Sequence, residues 1–219
     1  MKKRILLGAV ALVASGLLAW FGPDLLGFYR LDRYISASTA AYDADSGPWP
    51  HVTDACVHCH GVKGNSLHQG YPSLAGQPAP YVAAQLHKFA SGERANPTMA
   101  PLAMTMSETE ISHLAEHFAR QPAGANRYFM PEAALLGKGK QLVASGGCAA
   151  CHGSGLTGHD TFPRLAGQGY DYLLAQFDAF AAGKRSEPSG MMKAIATAAS
   201  AEDRKAMATY LASLAPRKE

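Results

Sequence analysis

The chain has 219 residues, with 20 Lys+Arg against 17 Asp+Glu for a net charge of +3, and is 47% hydrophobic, 9% aromatic and 17% charged. This composition excludes disorder as the dominant state, and so small a charge, with no basic cluster beyond Lys2-Lys3-Arg4, argues against a nucleic-acid partner. The length allows one large domain or two small ones, and four cysteines are too few to staple a disulfide scaffold of that size.

In chain order, the basic N-terminus is followed by the uncharged run Ile5 to Phe21, which Gly22-Pro23-Asp24 interrupts. The run exceeds the roughly 7–15 apolar residues of a cleaved signal peptide, and the nearest small-residue site, Ser38-Thr39-Ala40, lies far downstream. As a helix it spans about 25 Å, the short end of what crosses a bilayer. The expectation is a signal-anchor and linker over residues 1–42 with an N-terminal transmembrane helix. A cleaved signal peptide is the alternative, and the basic flank argues against a buried core helix. Positive residues stay in the cytoplasm, so both leading readings place the remainder in the periplasm.

The remainder is one unit written twice. Cys56-Val57-His58-Cys59-His60 recurs as Cys148-Ala149-Ala150-Cys151-His152 at an offset of 92, and Tyr71-Pro72-Ser73-Leu74-Ala75-Gly76-Gln77 as Phe162-Pro163-Arg164-Leu165-Ala166-Gly167-Gln168 at 91. Tyr81, Gln85, Phe89, Gly92 and Arg94 match Tyr172, Gln176, Phe180, Gly183 and Arg185 at the same offset of 91. Two repeats of this length describe a duplicated domain and not a solenoid. Pro122, Gly124 and Pro131 punctuate the join, giving domains at residues 43–124 and 125–219.

Each copy reads as helical. Val82, Leu86 and Phe89 share a face that ends at Gly92, with Pro80 at the start; Leu173, Phe177 and Phe180 repeat the pattern ahead of Gly183. A last helix opens at Ser107 with Glu110 in a capping-box pattern and carries Ile111, Leu114 and Phe118; its counterpart opens at Ser200 with Asp203 and carries Met207 and Leu211. No alternating run of β-branched residues intervenes, so the expected fold class is all-α.

The C-x-x-C-H pattern carries the chemistry. Two thiols three positions apart on one helical turn reach the two vinyl groups of a haem, and the adjacent imidazole projects across the ring plane toward iron. Zinc needs no His after each Cys pair, a thioredoxin-like pair would sit beside a βαβ pattern that is absent, and the close pairing within each motif argues against structural disulfides. Two covalently attached haem c groups are expected, at Cys56, Cys59 and His60 and at Cys148, Cys151 and His152. A sixth ligand from the C-terminal part of each domain completes the iron, and a thioether raises the reduction potential relative to a second imidazole. Met99 and Met192 each lie eight residues before a helix cap and begin Met-x-x-(Leu/Ile)-Ala. Met191 competes with Met192, Met104 and Met106 align with Thr197 and Ala199 and drop out, and Met207 reads as core. His68 and His159 are repeated but lie on the His60/His152 side, so a surface or supporting role is expected of them; His51, His58, His87, His113 and His117 read as surface histidines. Arg94 and Arg185 read either as partners of haem propionates or as solvated charges near a helix end.

Together these motifs resemble the dihaem cytochromes c4, two class I cytochrome c domains in one chain, over Asp43 to Ala215. The resemblance implies a tandem class I cytochrome c fold in which the carbonyls of Pro72 and Pro163 accept the imidazole N–H and fix each ring. It implies electron transfer from a quinol-oxidising complex to a terminal oxidase, with a cytochrome subunit of a periplasmic dehydrogenase or oxidase complex as the alternative. Methionine at both sixth positions leaves no open iron site and argues against a dihaem peroxidase. The retained anchor departs from the family and implies tethered delivery of electrons. The charge divides unevenly, +3 in residues 1–42, −3 in 43–124 and +3 in 125–219, which would orient the molecule between partners in a salt-sensitive way.

Overall fold

The computed structural model describes residues 2–46 and 51–216. An N-terminal unit, Met1–His51, is built of α1 (Lys2–Ser46), which runs unbroken through Pro23. Gly22-Pro23-Asp24 interrupts the uncharged run but not the helix, which continues through Leu25, Leu26, Phe28 and Tyr29. A proline removes one backbone donor and crowds one turn, and Leu25 and Leu26, both good helix formers, carry the helix on. Among the described residues no helix is long and apolar enough to cross a membrane, so the expected transmembrane helix finds no support. Beyond Pro23 the helix carries Asp24, Arg30, Asp32 and Arg33, and part of the apolar run, including Ile5, Leu6 and Leu7, has side chains outside the described residues.

The second unit, Val52–Glu219, holds both repeats. The first consists of α2 (Asp54–His60), a 3-10 turn at Val62–Gly64, α3 (Ala79–Ala90), α4 (Met99–Met104) and α5 (Glu108–Arg120). The second consists of α6 (Ala133–Ser145), α7 (Cys148–His152), α8 (Tyr170–Ala181), α9 (Met191–Ala198) and α10 (Ala201–Ser213). Among the described residues there is no strand, only one antiparallel bridge between His159 and Phe162, as the all-α expectation requires.

The periodic faces become the cores. Val82, Leu86 and Phe89 of α3 pack with Ile111, Leu114 and Phe118 of α5. Leu173, Phe177 and Phe180 of α8 pack with Met207 and Leu211 of α10. Ser107 and Ser200 both form complete capping boxes with Glu110 and Asp203, satisfying the first free amides of α5 and α10. The Met-x-x-(Leu/Ile)-Ala segments form the short helices α4 and α9, whose alanines Ala103 and Ala196 are buried in the two cores.

The cores differ by a volume exchange at one corner. In the first repeat Gly64 has φ 75°, and a Cβ there would lie 2.8 Å from the Phe118 ring. In the second repeat Leu156 takes the Gly64 position in the same left-handed backbone (φ 55°) and is buried, and the smaller Leu211 replaces Phe118. The second repeat accepts the steric cost of a left-handed leucine, about 1–2 kcal/mol, where it fills the space that the phenylalanine ring occupies in the first.

Candidate haem sites and the interface between the repeats

Each C-x-x-C-H motif lies on a short helix, α2 or α7, so its two cysteines share one turn and the histidine ends it. None of the four cysteines is paired in a disulfide. Burial, with the nearby charges of Asp54 and Cys59, pushes the Cys56 thiol up to about 11, and burial also raises Cys148. His60 and His152 are buried, which lowers both imidazoles below the usual histidine range despite the opposing hydrogen bond each makes to a carbonyl. That bond joins Nδ1 of His60 to the Pro72 carbonyl at 2.8 Å and Nδ1 of His152 to the Pro163 carbonyl at 2.8 Å. A neutral ring donating through Nδ1 keeps its Nε2 lone pair for a metal.

The loops that carry these prolines are pinned identically. Leu74 and Ala75 both donate to the Gly64 carbonyl (2.7 and 3.0 Å), and Leu165 and Ala166 to that of Leu156 (2.8 and 3.1 Å). Gly76 N then reaches the Phe118 carbonyl at 2.8 Å and Gly167 N that of Leu211 at 2.9 Å, tying each loop to the last helix of its repeat.

Cys56 and Met99 pack against the first core, and Cys148 and Met192 against the second. Met191 is 55% exposed and Met104 is 69% exposed. Each repeat therefore sets one motif cysteine and the candidate methionine against its apolar core, with the buried neutral imidazole of the same motif as a further donor; Met106 packs on the first core and Met207 in the second as well. That soft donor set fits a covalently held haem iron of low polarity surroundings. His68 and His159 lie on the surface against Tyr71 and Phe162, with ring centroids 5.2 and 5.3 Å apart. His58, His87 and His113 are exposed, as expected, but His51 and His117 are buried. His117 falls on the inner face of α5 and meets Phe118 edge-on at 5.1 Å; on a helix face set by Leu114 and Phe118, position overrides the polarity of the ring.

Sequence reasoning left Arg94 and Arg185 between propionate partners and solvated charges. The structure uses them between the repeats. Arg94 donates to Gln85 Oε1 (2.8 Å) in its own repeat and to the Tyr172 hydroxyl (3.1 Å) and Gln176 Oε1 (2.8 Å) in the other. Arg185 mirrors it, reaching Gln176 Oε1 (2.8 Å), the Tyr81 hydroxyl (3.1 Å) and Gln85 Oε1 (3.3 Å). Each guanidinium also sits 4.7 Å from the centre of its own Phe89 or Phe180 ring. Burial raises the Tyr81 phenol and works the same way on Tyr172, but the two guanidiniums outweigh it at Tyr172 and bring that phenol down.

A second reciprocal set, absent from the sequence expectations, lies deeper. The Gln168 side chain accepts from Ser73 N at 2.6 Å and donates to Ser73 O at 3.0 Å. The Gln77 side chain accepts from Arg164 N at 2.9 Å and donates to Arg164 O at 3.0 Å. Arg164, only 2% exposed, sends its guanidinium to the carbonyls of Ala75, Ser73 and Ala166, and burial brings it down to about 10. The repetition of Gln77 and Gln168 was the available signal, since both amides recur next to the pinned loops.

The Cytochrome c family model matches residues 136–215, and the model for Cytochrome C oxidase, cbb3-type, subunit III, matches residues 46–118. A cytochrome c4 from Thiocapsa roseopersicina is 36% identical over 84% of this chain and 98% of its own length. The chain belongs to the cytochrome c4 family. A thiosulfate dehydrogenase electron acceptor from Thiomonas intermedia (strain K12) is 33% identical over 87% of this chain and 96% of its own. The crystal structure of reduced recombinant cytochrome c4 from Pseudomonas stutzeri superposes with a TM-score of 0.68 at 27% identity, covering 74% of this chain and 94% of that one. As a cytochrome c4, this protein has two domains of class I cytochrome c fold, carries covalently bound haem c in each, and transfers electrons without catalysing a bond change.

Proposed function

We propose that Cys56 and Cys59 would attach one haem, with His60 and Met99 as the ligands of its iron, and that Cys148, Cys151, His152 and Met192 would hold the other in the same roles. The bound group supplies a one-electron couple; the chain positions it, excludes water and fixes the imidazoles through Pro72 and Pro163. The observation that carries this reading is the repeated pairing of a core-packed methionine with a proline-anchored, buried histidine in each half. His60 with Met99, and His152 with Met192, would hold the iron of each group and leave no position on it for substrate. Domain limits at residues 43–124 and 125–219 follow the repeat. Met192 is preferred to Met191 because it packs on the core while its neighbour faces water. Replacement of Met192 by leucine is expected to halve the long-wavelength sulfur-to-ferric-iron absorption of the holoprotein, and Met191→Leu to leave it intact. The opposite pattern reassigns the ligand.

The carrier works in the periplasm, between a quinol-oxidising complex and a terminal oxidase. A second reading, acceptor for a periplasmic dehydrogenase, is favoured by the relative named as a thiosulfate dehydrogenase electron acceptor, which this chain matches over nearly its whole length. Reduction of the oxidised holoprotein by a thiosulfate dehydrogenase with thiosulfate, run beside reduction by a quinol-oxidising complex, separates the two: the physiological donor is the faster, and its rate falls as salt rises if the unequal domain charges steer docking. The basic flank and apolar run of α1 support export. Retention at the membrane and removal after export are its two fates, and alkaline washing of membranes followed by N-terminal sequencing decides between them.

A further inference from the structure

The two methionine segments place an oxygen-bearing side chain at the same point ahead of the methionine, but it is neutral in one and charged in the other. In the first repeat Asn96 Oδ1 accepts from Thr98 N at 3.0 Å and from Met99 N at 2.8 Å. Glu187 stands at the corresponding place in the second repeat, 91 residues on. Its Oε2 accepts from Ser189 N and Ser189 Oγ, both at 2.7 Å, and its Oε1 from Met192 N at 3.0 Å. The same two amides and the same methionine are therefore held by a neutral side-chain amide in one half and by a carboxylate in the other. The second segment also contains two extra residues, Gly190 and Met191, and the longer glutamate side chain spans them to reach Met192 N.

We propose that Glu187 is a positioning and tuning residue for the second haem: it orients Met192 through the backbone amide, and its fixed negative charge favours the ferric state, so that this iron releases its electron more readily than it would beside an asparagine. The physical ground is Coulombic. A ferric haem carries one more positive charge than a ferrous one, and an anion held beside its ligand segment, partly shielded from water, stabilises the more positive form. Asn96 accepts from the two corresponding amides without the charge, so the effect of Glu187 is set against that of Lys193, which follows Met192 where Ala100 follows Met99, and is read from a change at Glu187 alone. The step affected moves one electron from the ferrous group to the acceptor that it reduces, and no atom is transferred. This inference rests on the Met99 and Met192 assignments above.

The test is a spectroelectrochemical titration of the purified holoprotein carrying Glu187→Gln or Asn96→Asp. The glutamine keeps an oxygen for Met192 N and removes the charge. Glu187→Gln is expected to raise one of the two midpoints and leave the other in place; Asn96→Asp is expected to lower the other one. A purely structural role gives the opposite sign for Glu187→Gln, because loosening a thioether favours ferric iron and lowers the midpoint while weakening the sulfur-to-iron band. A fall in the midpoint, or no movement of either, overturns the proposal. Glu187→Asp keeps the charge and is expected to restore the native midpoint if its reach is sufficient to retain the band. The Met192→Leu spectrum reports on the ligand assignment independently, so failure of the ligand reading and failure of the tuning role are told apart.

Discussion

Single residues in this protein act through what fixes them. His60 and His152 are held by proline carbonyls, Met192 by Glu187, and the start of α10 by Ser200 and Asp203. Asp203 shows the electrostatic consequence most directly. Its hydrogen bond to Lys138, then those to Ser200, hold its carboxyl at about 2, below the usual aspartate range. A carboxylate with a depressed folded pKa contributes stability above its unfolded pKa of about 3.9 and loses it as pH falls toward the folded value. Asp203→Asn is therefore expected to flatten the acid limb of the stability curve between about pH 4 and pH 2 while changing little of its shape above pH 5. Equilibrium denaturation of the holoprotein across that range measures it, and an unchanged acid limb would show that the lysine and serine contacts do not persist in solution. Lys138 joins this cluster from α6, where it also meets Glu202 at 2.9 Å, so the same group ties the first helix of the second repeat to the last.

At the scale of elements, α6 and α10 cross at Gly139. A Cβ there would fall 2.0 Å from the Ala206 carbonyl oxygen and 2.8 Å from Cβ of Tyr210, so only glycine allows the two backbones to meet. Gly139→Ala is expected to destabilise the protein by about 1–3 kcal/mol or more through forced separation of the helices. Gly137→Ala, two residues away with nothing within 4 Å of its Cβ, is expected to be neutral or to stabilise by up to about 1 kcal/mol through helix propensity. Denaturation midpoints of the two variants check the contrast, and equal effects would mean the crossing opens freely. Much of this level is legible in sequence: the faces of α3, α5, α8 and α10 follow the 3.6-residue period, and both capping boxes are written in Ser-x-x-(Glu/Asp). The short helices α4 and α9 are not, because six and eight residues carry too little periodicity to announce a face. Pro23 closes the uncharged run but not the helix, since an interior proline weakens a helix without having to end it. His117 misleads because burial belongs to a face, whereas polarity belongs to a residue.

The whole second unit is two copies of one domain joined face to face, and the repeat in the sequence records that joining. Tyr81, Gln85 and Arg94 recur as Tyr172, Gln176 and Arg185 because each set completes the other. Periodicity cannot disclose such a surface: its side chains serve a partner that is another stretch of the same chain, and the sequence offers only the coincidence of spacing. A broken correspondence, Ser73 against Arg164, puts a buried cation at the centre, where carbonyls and not carboxylates receive it. The halves carry opposite formal charges, −3 and +3, yet the contacts between them are reciprocal hydrogen bonds of amides, phenols and guanidiniums. The joint should therefore depend on Gln77 and Gln168 and little on salt. Gln168→Ala leaves the buried Ser73 N–H without its acceptor, at a cost of about 1–3 kcal/mol, while Ser73 C=O loses the amide donor but keeps the Arg164 guanidinium. The expected result is a single native unfolding transition that becomes two when Gln77→Ala and Gln168→Ala are combined, followed by the absorption of each haem during denaturation. Raising salt on the native protein should leave the transition single. A double variant that still unfolds in one step at the native midpoint would show that the remaining contacts, the arginine and tyrosine cluster and those of Gln69 with Asn126, Tyr170 and Tyr172, hold the repeats together without the two glutamines.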